Sequence, residues 1–109
     1  MATLTVQEIS RSGVAPSFAS AAGGGDQFLN DGKTYLEVAN GATDVVVTIA
    51  TQSTVDGLAV ADKTVTVTAS TSKKIGPFPP SIYNDSSGYV QLTYDDVSNV
   101  TSASSAWDR

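Results

Sequence analysis

The chain has 109 residues and a net charge of −5, and it contains neither cysteine nor histidine. The two missing residue types exclude disulfides, thiolate or imidazole metal sites, cysteine nucleophiles and histidine-based acid–base catalysis. The length suits one domain, and a hydrophobic fraction of 40% with 16% charged residues is too apolar for an entirely disordered chain. The acidic balance argues against nucleic-acid binding, which needs clustered lysine and arginine. We therefore expect a small folded domain that binds no nucleic acid.

The residue pattern also argues against a membrane segment. No apolar run approaches the roughly 20 residues that a membrane-spanning helix needs. Residues 1–5 lack the basic start and the apolar middle of a secretory signal. We therefore expect no membrane partner.

The first 26 residues predict a strand followed by a flexible arm. Residues 3–9 alternate loosely between apolar and polar, which favours a strand. Residues 10–26 are rich in glycine, serine and alanine and have little preference for helix or sheet. Val14 and Phe18 are the apolar side chains of this arm that a partner could bury. We therefore divide the chain into a strand and arm over residues 1–26 and a body with a short tail over residues 27–109.

The body is predicted to consist of strands. A turn is expected at Asn30-Asp31-Gly32, because these residues tolerate the backbone angles of tight turns. Apolar and polar residues alternate in four segments, which are residues 34–39, 44–51, 63–69 and 88–94. Residues 44–51 have the highest density of β-branched side chains, which favours a central strand.

The remaining segments predict weaker strands at the edges of a sheet. Residues 58–61 are apolar but short, and residues 73–80 contain three prolines, which cannot donate to a central ladder. One more weak strand is expected beyond residue 96. No segment of ten or more residues has helical apolar spacing with caps. The fold class is thus all-β, an antiparallel β-sandwich or jelly-roll-like barrel with an extended N-terminal arm.

Carboxylates are the only groups that could hold a metal or carry out acid–base chemistry. Asp26, Asn30 and Asp31 lie near one turn, and Asp95 and Asp96 near another, so their oxygens could bind Ca²⁺. Their spacing matches no calcium loop, and turn formation explains them better. A domain of this size also has little room for a cleft between two catalytic carboxylates. We expect no catalytic residues, no metal and no cofactor.

Two roles are open to the aromatic residues. A sugar-binding platform would form if several shared one exposed face, and the candidates are Tyr35, Tyr83, Tyr89, Tyr94 and Trp107. Packing in the core or at an interface is the commoner use of aromatics in small β-domains. Trp107 lies two residues from the C-terminus, which favours docking onto its own domain or onto a neighbour.

Several motifs follow one another in a characteristic order along the chain. The opening carries Thr3-Leu-Thr-Val-Gln, Arg11-Ser-Gly and Pro16-Ser. The body carries residues 28–40, 47–49, 73–79, 83–84 and 88–94. This order resembles a family of small structural proteins of tailed bacteriophages, encoded near the major capsid protein. The similarity spans nearly the whole chain and none of its motifs is catalytic.

The resemblance implies a head decoration or cement protein on the exterior of the capsid, made in the cytoplasm of the host bacterium. Its expected partners are the phage major capsid protein and further copies of itself, with a homotrimer as one arrangement. The expected interface residues are Val14, Phe18, Phe28, Phe78 and Trp107. The alternatives are a head–tail connector or tail component of the virion, or a carbohydrate-binding surface module.

Overall fold

The computed structural model describes residues 2–9, 11–13, 15–41, 43–52 and 54–106. Within these ranges the chain is built almost entirely of short strands. The first six strands are β1 (Ala2–Leu4), β2 (Val6–Glu8), β3 (Ala19–Ser20), β4 (Asp26–Leu29), β5 (Thr34–Asn40) and β6 (Val45–Ile49). The next elements are β7 (Thr54–Val55), β8 (Leu58–Ala59), β9 (Lys63–Val67), β10 (Ser72–Ile75), helix α1 (Pro80–Tyr83), β11 (Tyr89–Tyr94) and β12 (Val100–Ala106).

The strands form two facing sheets, which confirms the predicted β-sandwich. The first sheet has the order β1-β4-β11-β6-β9. The second has the order β10-β5-β12-β2, and β3 also pairs with β12. Strands β7 and β8 form a separate hairpin. The sandwich therefore has β1 and β2 on one side and β9 and β10 on the other.

Two strand pairs at the N-terminal segment are parallel in this otherwise antiparallel sandwich. Strand β1 runs parallel to β4, and β2 runs parallel to β12. Thr5 separates the two strands, so the segment leaves one sheet and enters the other within a single residue. The alternation of residues 3–9 predicted a strand but contained no signal for this change of sheet. Residues 2–8 are consequently part of both sheets.

The core lies between the sheets and follows the alternation of the strands. In β5 the residues Thr34, Leu36, Val38 and Asn40 are buried, and the residues between them are only half-buried. The same period holds in β6 and β11. The largest fully buried apolar side chains are Phe28, Leu36, Ile49, Leu92, Val38, Val45, Val47, Val67 and Val90.

Most predicted strand positions are confirmed, but β12 is longer and more central than the sequence predicted. Strand β6 lies between β11 and β9, as its β-branched residues predicted. Strand β10 is an edge strand that ends before Pro77. The weak strand expected after residue 96 is instead a central strand of seven residues, and it pairs with β5 along its whole length.

One glycine of the 23–25 run is required by packing. Gly25 has a φ of +96°, and a Cβ atom there would collide with the carbonyl oxygen of Leu92. A Cβ atom at Gly23 would meet no heavy atom within 4 Å. Gly25 therefore allows β4 to begin directly against β11, because only glycine adopts this backbone angle without strain next to so close a neighbour.

We expect Gly25→Ala to lower the free energy of unfolding by at least about 2 kcal/mol, because it combines a left-handed backbone angle with a collision against backbone. The matched control Gly23→Ala should change it by less than about 0.5 kcal/mol. Urea denaturation followed by circular dichroism measures both. Equal effects of the two substitutions would contradict the assignment.

Candidate functional site

The exposed arm between β2 and β3 is the first candidate for an interaction surface. All of its described residues, 11–13 and 15–18, are exposed. The side chain of Gln7 holds the arm at one point, because its Nε2 donates to the carbonyl of Ser17 (3.0 Å) and its Oε1 accepts from the N–H of Ser17 (2.8 Å). This pair of bonds imitates one step of a β-ladder. The arm is thus attached to the edge of the second sheet through Gln7.

Phe18 is the apolar residue that the arm presents. Its side chain is 37% exposed, although it borders a cavity of about 320 Å³. The cavity lies between the arm, the N-terminal segment and β12, and its lining residues are Thr3, Leu4, Thr5, Gln7, Ser17, Phe18, Ala19, Ser102 and Ala103. An aromatic side chain that is partly exposed beside a cavity is available to a partner, since its remaining apolar surface is still in contact with water.

The other predicted interface residues lie elsewhere or outside the described ranges. Phe28 and Phe78 are 0% and 2% exposed, and their ring centroids are 5.6 Å apart in the core. Neither ring is accessible to a partner while the domain keeps this fold, because both have already been removed from water by their own chain. Val14 and Trp107 lie outside the described residues.

A buried polar bridge joins the two sheets. The hydroxyl of Tyr94 in β11 donates to Oδ2 of Asp26 in β4 (2.6 Å) and lies 2.7 Å from Oγ of Ser102 in β12. Asp26 and Ser102 are completely buried. The second oxygen of the Asp26 carboxyl group, Oδ1, is also buried and has no hydrogen-bond partner among the described residues. Tyr94 therefore provides the main stabilisation of a carboxyl group that lies inside the protein.

The bridge was not foreseen from the sequence, where Asp26 was expected to form a turn. Asp26 lies two residues before Phe28 in β4, so the alternation of the strand puts both side chains on its buried face. This spacing is the signal from which the burial of Asp26 could have been predicted. Burial and the hydrogen bond to Asp26 raise the pKa of Tyr94 well above its ordinary value, because both favour the neutral phenol. The hydroxyl is thus held as a neutral donor.

The remaining acidic residues that were considered as calcium ligands organise turns and strand ends. Asp31 Oδ1 accepts from the N–H of Lys33 (3.1 Å), and Asp95 Oδ1 accepts from the N–H of Val46 (2.8 Å). The pKa of Asp96 is lowered, chiefly because its carboxylate accepts from the N–H of Ser98. Within the described ranges, no group of three or more acidic side chains is placed to hold a metal ion.

Asp85 fixes the turn that leads into β11. Its Oδ1 accepts from the N–H groups of Ser87 (2.9 Å) and Tyr89 (3.0 Å), and its Oδ2 accepts from Nε2 of Gln91 (2.8 Å). The bond from Tyr89 is the largest cause of a lowered pKa at Asp85, and the bond from Gln91 is the next. Neither this turn nor the bond to Gln91 was predicted from the sequence.

The tyrosines do not share one exposed face. Tyr35 follows the outward parity of β5 in the second sheet, and Tyr89 follows that of β11 in the first. These are opposite faces of the sandwich. Tyr83 packs edge-on against Phe78, with ring centroids 5.5 Å apart, and Tyr94 belongs to the bridge. The four tyrosines therefore form no common platform for a sugar.

A second cavity of about 460 Å³ lies at the start of β5 and the end of β10. Its lining residues are Gly32, Lys33, Thr34, Tyr35, Lys74, Ile75, Gly76 and Pro77. Lys74 is also 3.8 Å from the carboxylate of Glu37. None of the predicted interface residues lies here.

No family model, curated protein or solved structure matches the chain. Among the described residues, no helix has the length and apolar character needed to cross a membrane.

We expect Tyr94→Phe to lower the free energy of unfolding by about 1–3 kcal/mol, because it leaves Asp26 and Ser102 buried without their shared partner. The control Tyr89→Phe removes the same atom from the outer face and should cost less than about 0.5 kcal/mol. Urea denaturation of both variants gives the comparison. A loss at Tyr94 no larger than the loss at Tyr89 would show that the bridge does not stabilise the fold.

Because the pKa of Tyr94 is raised in the folded protein, the free energy of unfolding should decrease at high pH. Below pH of about 10 the phenol is neutral in both states, so its full contribution is present. At higher pH the unfolded chain loses this proton first, and stability should fall by at most about 1.4 kcal/mol per pH unit from this group. The difference between the wild type and Tyr94→Phe, measured by urea denaturation from pH 8 upward, isolates it. A difference that stays constant across this range would contradict the assignment.

Proposed function

We propose that the chain is a bacteriophage capsid decoration protein, which binds the exterior of the head and stabilises contacts between subunits of the major capsid protein. The proposal starts from the resemblance of its ordered motifs to small phage structural proteins. The single structural observation that supports it is the exposed arm, which carries Phe18 on its surface. A protein that links neighbouring subunits needs a rigid body and an extended segment that reaches beyond it.

The arm has the chemistry of a segment that becomes ordered against a partner. Its small residues leave the backbone accessible, and Phe18 supplies an aromatic anchor of the kind that dominates interface energies. Fixing such a segment costs conformational entropy, so one copy binds with limited affinity. The repeated sites of a capsid lattice compensate for this cost, because linked copies bind with avidity.

The charge of the chain supports a position outside the shell. A net charge of −5 is repelled by packaged nucleic acid, which carries one negative charge per phosphate. The exterior of the head avoids this contact. Because the tyrosines share no exposed face, the carbohydrate-binding alternative has no structural support. A position in the tail or the connector is distinguished from a position on the head by fractionating virions.

Fractionation of purified virions tests the assignment to the head. The encoding phage is separated into heads and tails, and the copy number of this protein is measured by mass spectrometry. We expect it in heads at a copy number comparable with that of the major capsid protein. Presence in tails alone, or only a few copies per virion, would contradict a decoration function.

Phe18→Ala tests the arm as the contact surface. The purified variant is added to heads that lack the protein, and binding is measured by co-sedimentation. We expect the dissociation constant to rise by about tenfold or more, as is usual for the loss of an aromatic anchor. The matched control is Leu58→Ala, because Leu58 is also an exposed apolar residue, at 72%. Equal binding by the two variants would remove the arm from the contact.

A further inference from the structure

The outer edge of β9 is a free hydrogen-bonding edge of the sandwich. Strand β9 ends the order of the first sheet, and among the described residues it pairs with β6 alone. An edge strand presents a row of backbone groups to which another strand can be added. We propose that β9 pairs with β9 of a second copy, so that the first sheets of two molecules become one continuous sheet.

The hydrogen bonds of β6 show which groups of β9 are free. Val46 exchanges bonds with Asp95 on the β11 side, and the N–H of Ala50 donates to Gln91 on the same side. Because successive residues of a strand point their backbone groups in opposite directions, Val45, Val47 and Ile49 point toward β9. Their register partners Val67, Val65 and Lys63 must then point back toward β6. The N–H and C=O groups of Thr64 and Thr66 consequently point outward.

Most side chains of β9 do not oppose strand addition. Thr64 and Thr66 are exposed, and the one charged residue of the strand, Lys63, lies at its first position. The edge of the second sheet on the same side, β10, differs because it carries two adjacent lysines at its centre. Lys63 and Lys73 are both exposed and both have the inward parity of a buried register partner, and such a charge discourages edge pairing. Because that charge is central in β10 but terminal in β9, the observations favour β9 over β10.

The sequence of β9 is complementary to itself. An antiparallel pair centred on Thr66 puts Thr66 opposite its copy, Thr64 opposite Thr68, and Val65 opposite Val67. The outward-pointing backbone groups of the two strands then face each other, and exposed threonine lies on exposed threonine. Val67 is already fully buried by its own chain, so the threonine pairs carry the side-chain contact. Cross-strand pairs of these types are favourable in sheets.

The charged end of the strand is tolerated in this register. Lys63 is placed opposite Ala69 of the second copy, so no like charge faces it. The N–H of Ala69 donates to the carboxylate of Asp44 (2.9 Å), which therefore lies on the β6 side of Ala69 and away from the second copy. The pairing thus depends on the backbone ladder and on the threonine pairs rather than on charge.

The edge is short, which sets the expected strength of the dimer. Five residues per strand cover less than the about 1,200 Å² of a standard stable interface. We therefore expect a reversible dimer that appears as the concentration rises from micromolar to millimolar. Such a dimer would form whether or not the chain binds capsids.

Analytical ultracentrifugation of the full chain, with and without Thr66→Lys, tests the pairing. The substitution puts two like charges opposite each other on the axis and should raise the dimer dissociation constant by about tenfold or more. Thr93→Lys is the control, because Thr93 is exposed on the same sheet but in the central strand β11. A chain that stays monomeric up to millimolar concentration, a trimer, or a dimer that Thr66→Lys leaves intact would overturn the proposal.

Cysteine cross-linking gives a second readout that does not depend on the fold of Thr66→Lys. The chain has no cysteine, so Thr66→Cys introduces a single thiol. Directly opposite residues of a hydrogen-bonded pair lie about 5.5 Å apart at Cα, which is within the range that a disulfide spans. We expect Thr66→Cys to form covalent dimers under mild oxidation at least about tenfold faster than the control Thr93→Cys. Equal rates would overturn the proposal.

Discussion

The sandwich depends on one N-terminal segment that is paired in both sheets. β1 joins the first sheet, β2 joins the second, and only Thr5 separates them. Because this segment takes one edge of each sheet, it links the two sheets on one side of the molecule, and the arm that follows is bound there by Gln7. The opposite side keeps β9 and β10 as free edges. The pairing of residues 2–8 therefore determines which surfaces are available to partners.

The hydrogen-bonded bridge between Asp26, Tyr94 and Ser102 adds a directional constraint on how the two sheets pack. Apolar packing holds two sheets together but tolerates sliding, whereas hydrogen bonds require particular positions. The bridge links β4, β11 and β12, so it fixes the sheets relative to each other close to the N-terminal segment. Burial of a carboxyl group is costly when one of its oxygens has no partner within the described part of the chain, and the hydroxyl of Tyr94 limits that cost.

The sequence predicted those strands in which apolar and polar residues alternate, because a strand with one buried face buries every second residue. Residues 34–40 and 45–49 follow this rule. Strand β12 is rich in serine and alanine, so its central position depends on small side chains that fit beside β5, which no local preference reveals. The requirement for glycine at position 25 was also hidden from local patterns, because Leu92, which lies against it, is distant in sequence. The arm and Phe18 were predictable as a candidate surface because residues 10–26 lack the alternation of apolar and polar residues that marks the strands.

A decoration protein must present its arm to the capsid while the sandwich remains outside the shell. An electron cryo-microscopy map of the encoding phage tests this directly. We expect density for a two-sheet domain on the outer surface of the head, with residues 11–18 against the major capsid protein. Density for this domain in the tail, at the connector or inside the shell, or a head surface without it, would contradict a decoration function.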